Sequence, residues 1–313
     1  MELDARRLRV LHTVAVRGGV TAAAETLCVS PSAVSQQLAL LEREAGCDLV
    51  ERVGRGIALT PAGQALALAA EEVARALDRA EAAVAAARKG ISGTVRVGAF
   101  PSAARALVGP AVTRTLRRHP GLDVRVNEGE DVRTLGDLRL AALDVVIAQE
   151  YDHVPVDFPS GLSRRAVLRD PLHLCVPASG AYAKASSLEE LRDAPWIAAA
   201  PGTPCGDSTR QACHDVGFSP DVRHTVMDFG LALDLVAEGL GVALIPELGL
   251  RDMPDGVVTA RTAQARTIYA LTRAPGVGPV RPAVAAFLAE LAGDQLSAGA
   301  EASTGRVRED SDA

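Results

Sequence analysis

Residues 20–41, VTAAAETLCVSPSAVSQQLALL, decide how this chain begins to fold. Ala23, Ala24 and Leu27 are small and apolar at helical spacing, so they pack inward. Cys28-Val29-Ser30 makes a turn. Ser30 is a favourable N-cap, and Pro31 suits the first helical position, where its missing N–H costs nothing. Val34, Leu38 and Leu41 then recur at i, i+4 and i+7, which places them on one buried face. Ser32, Ser35, Gln36 and Ala39 fall on the opposite face. Short polar side chains with a glutamine among them are what the reading of base edges and phosphates requires. Two short helices joined by a tight turn predict a unit that lays its second helix in a DNA major groove. An ordinary helical hairpin with a solvated polar face has the same pattern.

The following residues extend this unit. Gly54-Arg55-Gly56 is a turn between two short extended pieces, LVER and IALT, which predicts a small hairpin with an arginine at its tip. Thr60 followed by Pro61 starts a helix. From residue 61 to about 89 the chain is alanine-rich. Leu66, Ala70, Val73, Leu77, Ala80, Val84 and Ala87 alternate spacings of four and three, with Glu71, Glu72, Arg75, Asp78, Arg79 and Glu81 off that seam. One helix cannot bury so narrow a stripe alone, so it needs a partner. Packing on its own domain is the alternative. Residues 90–93 then break the helix.

From Thr94 onward strands and helices alternate. Strands are predicted over TVRVGAF and residues 122–127, 143–148, 196–200, 242–245 and 267–272. RRAVLRDPLHLCVP reads as two further extended pieces. Helices are predicted over about residues 102–118, 133–140, 188–191, 208–216, 229–239 and 282–292. Alternating β and α argues for parallel sheets with helices on both faces.

The order helix, helix-turn-helix, wing, long helix resembles the N-terminus of the LysR-type transcriptional regulators. The matching residues are Leu8, Leu11, Ala23-Ala24, Leu27, Val29-Ser30, Ala33, Ser35, Gln37, Leu41-Glu42, Gly46, Leu49, Glu51-Arg52 and Leu59-Thr60 with Ala62-Gly63. Gly19, Pro31-Ser32 and Gln36 depart from the family's usual residues and bear on base preference. The second half resembles the family's effector-binding domain through Gly93, Val95-Arg96-Val97-Gly98, His119-Pro120, Leu143-Asp144 and LVAEGLGVALIP at residues 235–246. The resemblance spans about residues 3–292.

It implies an α/β chain in several parts. Residues 1–60 are a winged helix-turn-helix domain and 61–90 a linker helix that pairs with its twin. Residues 91–295 are a periplasmic-binding-protein-like effector domain of two α/β subdomains, I at about 91–165 with 265–295 and II at about 166–264. Residues 296–313 read as a disordered tail. The DNA contacts implied are Thr21, Ser30, Ser32, Ser35, Gln36, Gln37, Arg52 and Arg55. Ser102 opens a helix after the first strand, where free N–H groups and a hydroxyl suit an anion, although simple N-capping explains it equally. Gln149 and Glu150 end a strand, where open α/β sheets place ligands. With Thr203 and Asp228, which the resemblance adds from the other subdomain, they form the expected effector site. Each alone is more ordinary as a loop or cap residue. The expected partners are double-stranded DNA, a small polar metabolite, a second copy in a homodimer or homotetramer, and RNA polymerase.

Composition narrows the rest. The 313 residues suffice for two or three domains, and with only 3% aromatics the cores rest on Ala, Val and Leu. Net charge is −6, so phosphate contacts depend on locally placed Arg6, Arg7, Arg9, Arg52 and Arg55 rather than on a basic tail. With no signal peptide or membrane-length apolar run, a cytoplasmic location is expected. The five cysteines and six histidines lack metal-ligand spacing, and no cofactor is expected. Gly239-Leu240-Gly241 follows a helix and precedes a strand, the reverse of a dinucleotide loop. No phosphate-binding Gly-Lys-Ser/Thr, Gly-x-Ser-x-Gly elbow or paired catalytic residues stand out, which argues against an enzyme. Cys205 and Cys213 lie eight apart in the region where peroxide-sensing members of the family carry a cysteine pair, so a redox switch is the alternative function.

Overall fold

The computed structural model describes residues 2–54, 56–87, 90–129, 132–274 and 280–301. Three helices open the chain: α1 (Ala5–Arg17), α2 (Val20–Leu27) and α3 (Pro31–Ala45). Asp4 caps α1 by accepting from the Arg6 N–H, and Gly18 ends it in the left-handed region at φ 77°. Cys28, also left-handed at φ 54°, closes α2. The Ser30 hydroxyl then caps α3 from the Ala33 N–H at 3.2 Å, with Pro31 at the first turn, as its sequence predicts. Leu8, Leu11, Val14, Ala23, Ala24, Val34, Leu38 and Leu41 form the core of this unit. Leu27 is only half-buried at its edge.

The antiparallel wing pairs β1 (Val50–Val53) with β2 (Gly56–Leu59). Glu42 fixes its entry by accepting from the N–H groups of Leu49 and Val50 at 2.9 and 3.2 Å. Thr60 caps α4 (Pro61–Ala87), accepting from the Gly63 N–H at 3.0 Å. A Cβ on Gly63 would sit 2.0 Å from the Leu49 carbonyl oxygen, so only glycine lets the helix approach the wing so closely.

The seam of α4 divides. Ala70 is buried in the first unit and Leu66 packs against it, so this part of the stripe serves its own domain. Val73, Leu77 and Val84 remain exposed. Glu71, expected on the solvated side, is buried and ion-paired to Arg75 and Arg139.

The second half is built on β3 (Ser92–Ala99), β4 (Gly121–Glu128), β5 (Val145–Tyr151), β6 (Leu162–Pro177), β9 (Ala243–Pro246) and β10 (Val257–Arg273), in the spatial order β4-β3-β5-β10-β6-β9. A parallel pair, β7 (Pro195–Ala198) and β8 (Asp221–Thr225), joins the far edge through a Trp196–Val242 bridge. The sheet is mixed. β3 runs parallel to β4 and β5, but β10 is antiparallel to both β5 and β6, and β6 is antiparallel to β9.

Two strand boundaries also differ from expectation. The two extended pieces of residues 164–177 are one long strand, and the last strand starts at Val257 rather than near residue 267. These strands of 16 and 17 residues run together through both halves of the sheet, joining two cores. One core gathers Val95, Val97, Ile147, Ile268 and Phe287, and the other Leu172, Leu174, Trp196, Cys213 and Leu244.

The helices are α5 (Pro101–Ala103), α6 (Gly109–Arg118), α7 (Val132–Arg139), α8 (Pro204–Asp215), α9 (Phe229–Ala237) and α10 (Pro282–Glu301). A wide π turn at Ala104–Val108 joins α5 to α6 where one continuous helix was expected. The first residues of the expected disordered tail are helical instead: α10 runs on to Glu301, and the rest of the tail, residues 302–313, lies outside the described residues.

Candidate nucleic-acid interface and ligand cleft

On α3 the side chains of Ser32, Ser35 and Gln36 are exposed, opposite buried Val34, Leu38 and Leu41. Ser30 and Ser32 share a 2.8 Å hydroxyl hydrogen bond, and the Ser35 hydroxyl donates to the Pro31 carbonyl at 3.0 Å. Gln36 is the longest polar side chain on this exposed face. Gln37 is instead half-buried, and its amide oxygen accepts from Arg7 Nε at 3.3 Å. Arg7 is also paired with Glu44, whereas Arg6 and Arg9 are exposed.

An open groove of about 640 Å³ runs between the start of α2 and the wing. It is lined by Gly18, Gly19, Thr21, Arg52 and Gly54 among others. Gly19, at the N-cap of α2, offers no side-chain cap to that helix. Thr21 and Arg52 line this groove together. Arg55 lies outside the described residues.

In the second half, two of the expected ligand residues meet at a third that the sequence reading missed. Arg266 on β10 is buried, 1% exposed, and its guanidinium is saturated. Nε donates to Asp170 at 2.8 Å, and Nη2, ion-paired with the same carboxylate at 2.7 Å, donates to the Ser102 hydroxyl at 3.0 Å. Nη1 donates to the Gln149 amide oxygen at 2.6 Å and to the Tyr151 hydroxyl at 3.5 Å. The guanidinium also lies 5.0 Å from the centre of the Phe100 ring. Burial disfavours the arginine's charge, but Tyr151 and Asp170 outweigh it, and Arg266 stays cationic. Burial pushes the Asp170 carboxyl above its ordinary range, opposed by Arg266 and by the Leu248 N–H that donates to it at 3.1 Å.

Ser102 is not a cap. The N-cap of α5 is Phe100, which makes no side-chain capping bond. The hydroxyl of Ser102 and the amide of Gln149 give their oxygens to Arg266, which leaves the hydroxyl hydrogen and the amide NH₂ as donors. Glu150 points to the opposite side of the strand, where it accepts from the Tyr269 hydroxyl at 3.1 Å and from the Val156 N–H at 3.2 Å. The structure does not bring it to Ser102 and Gln149. Thr203 caps α8 through the Gly206 N–H at 3.2 Å, and Asp228 caps α9 through the Leu231 N–H at 2.7 Å. Among the described residues neither bonds to the Arg266 cluster.

One signal pointed to Arg266. Ile268 and Ala270 face the core, and a strand's period of two puts Arg266 on that same face. An arginine there must be buried with partners.

The cysteines are free, and Cys175 and Cys213 are buried. Burial pushes the Cys213 thiol up to about 12. Among the described residues no cluster of His, Cys, Asp and Glu is arranged to hold a metal ion, and no helix is long and apolar enough to cross a membrane.

Two family models match the chain: the bacterial regulatory helix-turn-helix protein of the lysR family over residues 5–64, and the LysR substrate binding domain over residues 88–295. A probable hydrogen peroxide-inducible genes activator of Mycobacterium avium is 30% identical over 243 residues, covering 77% of this chain and 76% of that protein. The transcriptional dual regulator GltC of Bacillus subtilis is 28% identical over 247 residues, 78% of this chain and 81% of that one. A full-length OxyR variant from Pseudomonas aeruginosa shares the fold with a TM-score of 0.66 at 21% identity, over 93% of this chain and 98% of that chain. Full-length CbnR, solved with its target DNA, matches with a TM-score of 0.53 at 22% identity, over 92% and 99%. With the helix-turn-helix and the second half each matched by its own family model, and a relative 30% identical over most of its length, the chain belongs to the LysR family of transcriptional regulators.

Proposed function

We propose that this chain is a sequence-specific DNA-binding regulator whose trigger is a small, acceptor-rich anion, a carboxylate first of all, held at Ser102 and Gln149. The observation that carries this reading is the saturated Arg266. It consumes the oxygens of Ser102 and Gln149 and so leaves two donors for a ligand. Glu150 lies on the far side of its strand, which leaves a cationic group on the ligand without that partner. Thr203 and Asp228 close the cleft from the other half, each sharing its oxygen with a helix cap.

DNA is read by Ser32, Ser35 and Gln36, with phosphate contacts from Thr21, Ser30, Arg52 and Arg55, while Gln37 fixes Arg7. The working units are residues 1–60, 61–90 and 91–295, the last divided near 165 and 265. The regulator works in the cytoplasm as a homodimer or homotetramer beside RNA polymerase and catalyses no reaction. A thermal-shift screen of small carboxylates against the whole chain tests the trigger. Ser102→Ala should abolish the shift yet leave operator affinity near wild type. Loss of both together would mean that Ser102 is structural and the ligand binds elsewhere.

The names of the relatives suggest peroxide as a second trigger. A buried Cys213 whose thiol is held protonated is a poor redox partner for half-buried Cys205. Thiol labelling before and after peroxide separates the two: unchanged labelling at Cys205 and Cys213 keeps the ligand reading, and paired loss of both thiols replaces it.

A further inference from the structure

Helix α7, in the effector-binding half, rests against the DNA-binding unit of the same chain. Gly136, at its middle, is so close to α1 that a Cβ would lie 2.9 Å from Arg17 Nη1 and 3.2 Å from Val16 Cγ1. One residue further on, Asp137 forms an ion pair with Arg17, whose side chain is only 9% exposed. Arg17 Nε also donates to Thr26 in α2 at 2.9 Å. The acid on α7 is therefore wired into both of the first two helices.

A second contact lies alongside. Arg139 Nη2 donates to Glu71 on α4 at 3.0 Å, and Arg75 Nη2 donates to the other oxygen of Glu71, also at 3.0 Å. His12 of α1 approaches the same carboxylate at 3.7 Å. Glu71 is thus shared by the DNA-binding unit, the linker helix and the effector-binding half, and its side chain is 6% exposed. Gly161, in the loop before β6, completes the enclosure. A Cβ there would lie 3.0 Å from Arg75 and 3.2 Å from Glu71. The His12 ring, then Arg139 and Arg75, hold the Glu71 carboxyl down at about 2 despite its burial. That is the behaviour of an anion kept charged inside a closed junction.

We propose that the α7 face centred on Gly136, Asp137 and Arg139 is a docking surface for the chain's own α1 and α4, and that it couples the effector-binding half to the DNA-binding unit directly rather than through residues 88–93 alone. The coupling acts through a charged lock on a two-sided contact. Removing one partner from a buried pair leaves the other uncompensated, so the lock opens as a unit. This inference holds whatever ligand fills the cleft.

The test alters α7 and reads the other domain. Hydrogen exchange is followed in the full chain at the α1 amides of residues 11–17. Asp137→Arg, Arg139→Glu and Gly136→Gln should each speed exchange there by at least about five-fold, the low end of coupling between sites. The double variant Arg17→Asp with Asp137→Arg should bring the rate back most of the way to wild type, since the swapped pair restores the ion pair but not the bond to Thr26. Gly136→Gln improves helix propensity, so it loosens the junction without unfolding α7. Operator affinity, measured on duplexes selected by the wild-type chain from a random pool, should change with the single variants and return in the double. A short bis-maleimide should join Arg17→Cys to Asp137→Cys within one chain, in a background with Cys28 and Cys47 changed to serine. Exchange at α1 unchanged in all three single variants would overturn the proposal. So would cross-links formed only between two chains, or faster exchange confined to α7 and its own half.

Discussion

At the scale of single residues, the most consequential side chain is a wholly buried arginine. Arg266 ties β5, β6 and β10 together and orients Ser102 and Gln149 at the same time. Removing one member of such a pair strands a charge in the core, at a cost of about 3–5 kcal/mol. Arg266→Met should therefore destabilise the chain strongly in urea unfolding, whereas Arg266→Met with Asp170→Leu should recover much of the loss. A double variant no better than the single would show that the pair is not the source of stability. Glu71 gives a second prediction, with a definite sign. Its carboxyl is lowered from 4.5 to about 2, so the folded state favours the ionised form. Its contribution, on the order of 3 kcal/mol, is complete above pH 4.5 and disappears as the pH falls towards 2. Urea midpoints of wild type should drop over that range more steeply than those of Glu71→Gln, and parallel curves would rule the assignment out. That Ser102 and Gln149 come together was legible, because sheet topology sets strand ends side by side. Glu150 does not join them, because two adjacent strand residues point to opposite faces. Glu71 was hidden because a helical seam says nothing about what a distant domain brings to its polar side.

At the scale of elements, local chemistry made the N-terminal unit readable. The Ser30 cap, Pro31, the wing glycines and the Thr60 cap each satisfy a backbone demand within a few residues, so their signal survives without tertiary information. The failures involve long-range pairing. Nothing local in residues 257–266 marks a strand, because Arg261 and Gln264 interrupt the apolar alternation, and the ladder to β6 itself shifts between Arg261 and Ala265. The π turn at Ala104–Val108 has no sequence mark either. For the recognition helix, Gln36→Ala should weaken operator binding by about 1–3 kcal/mol and relax the preference at one base pair. Arg52→Ala should weaken all duplexes alike and reduce the salt slope by about one. An unchanged sequence preference after Gln36→Ala would move base reading to another face of α3.

At the scale of the whole molecule, α4 has to serve two masters along its length. Its first turns complete the DNA-binding core through Ala67 and Ala70, and Glu71 secures the junction with α7. Beyond that point Val73, Leu77 and Val84 are 37%, 59% and 65% exposed in the single chain. Apolar residues repeating at spacings of four and three on one side of a helix are a seam awaiting a second helix. A twofold pairing there sets two recognition helices on one face and demands half-sites separated by whole turns of the duplex. Because these positions are open in the protomer, replacing Val73 and Leu77 by aspartate leaves the fold of each chain intact while placing charges where the pairing must exclude water, at a cost of several kcal/mol. Sedimentation should then show dissociation, and affinity for the full operator should collapse, while the thermal unfolding of the protomer stays near its starting value. If the dissociated variant still bound the full operator as tightly as wild type, α4 would not be the element that joins the two copies.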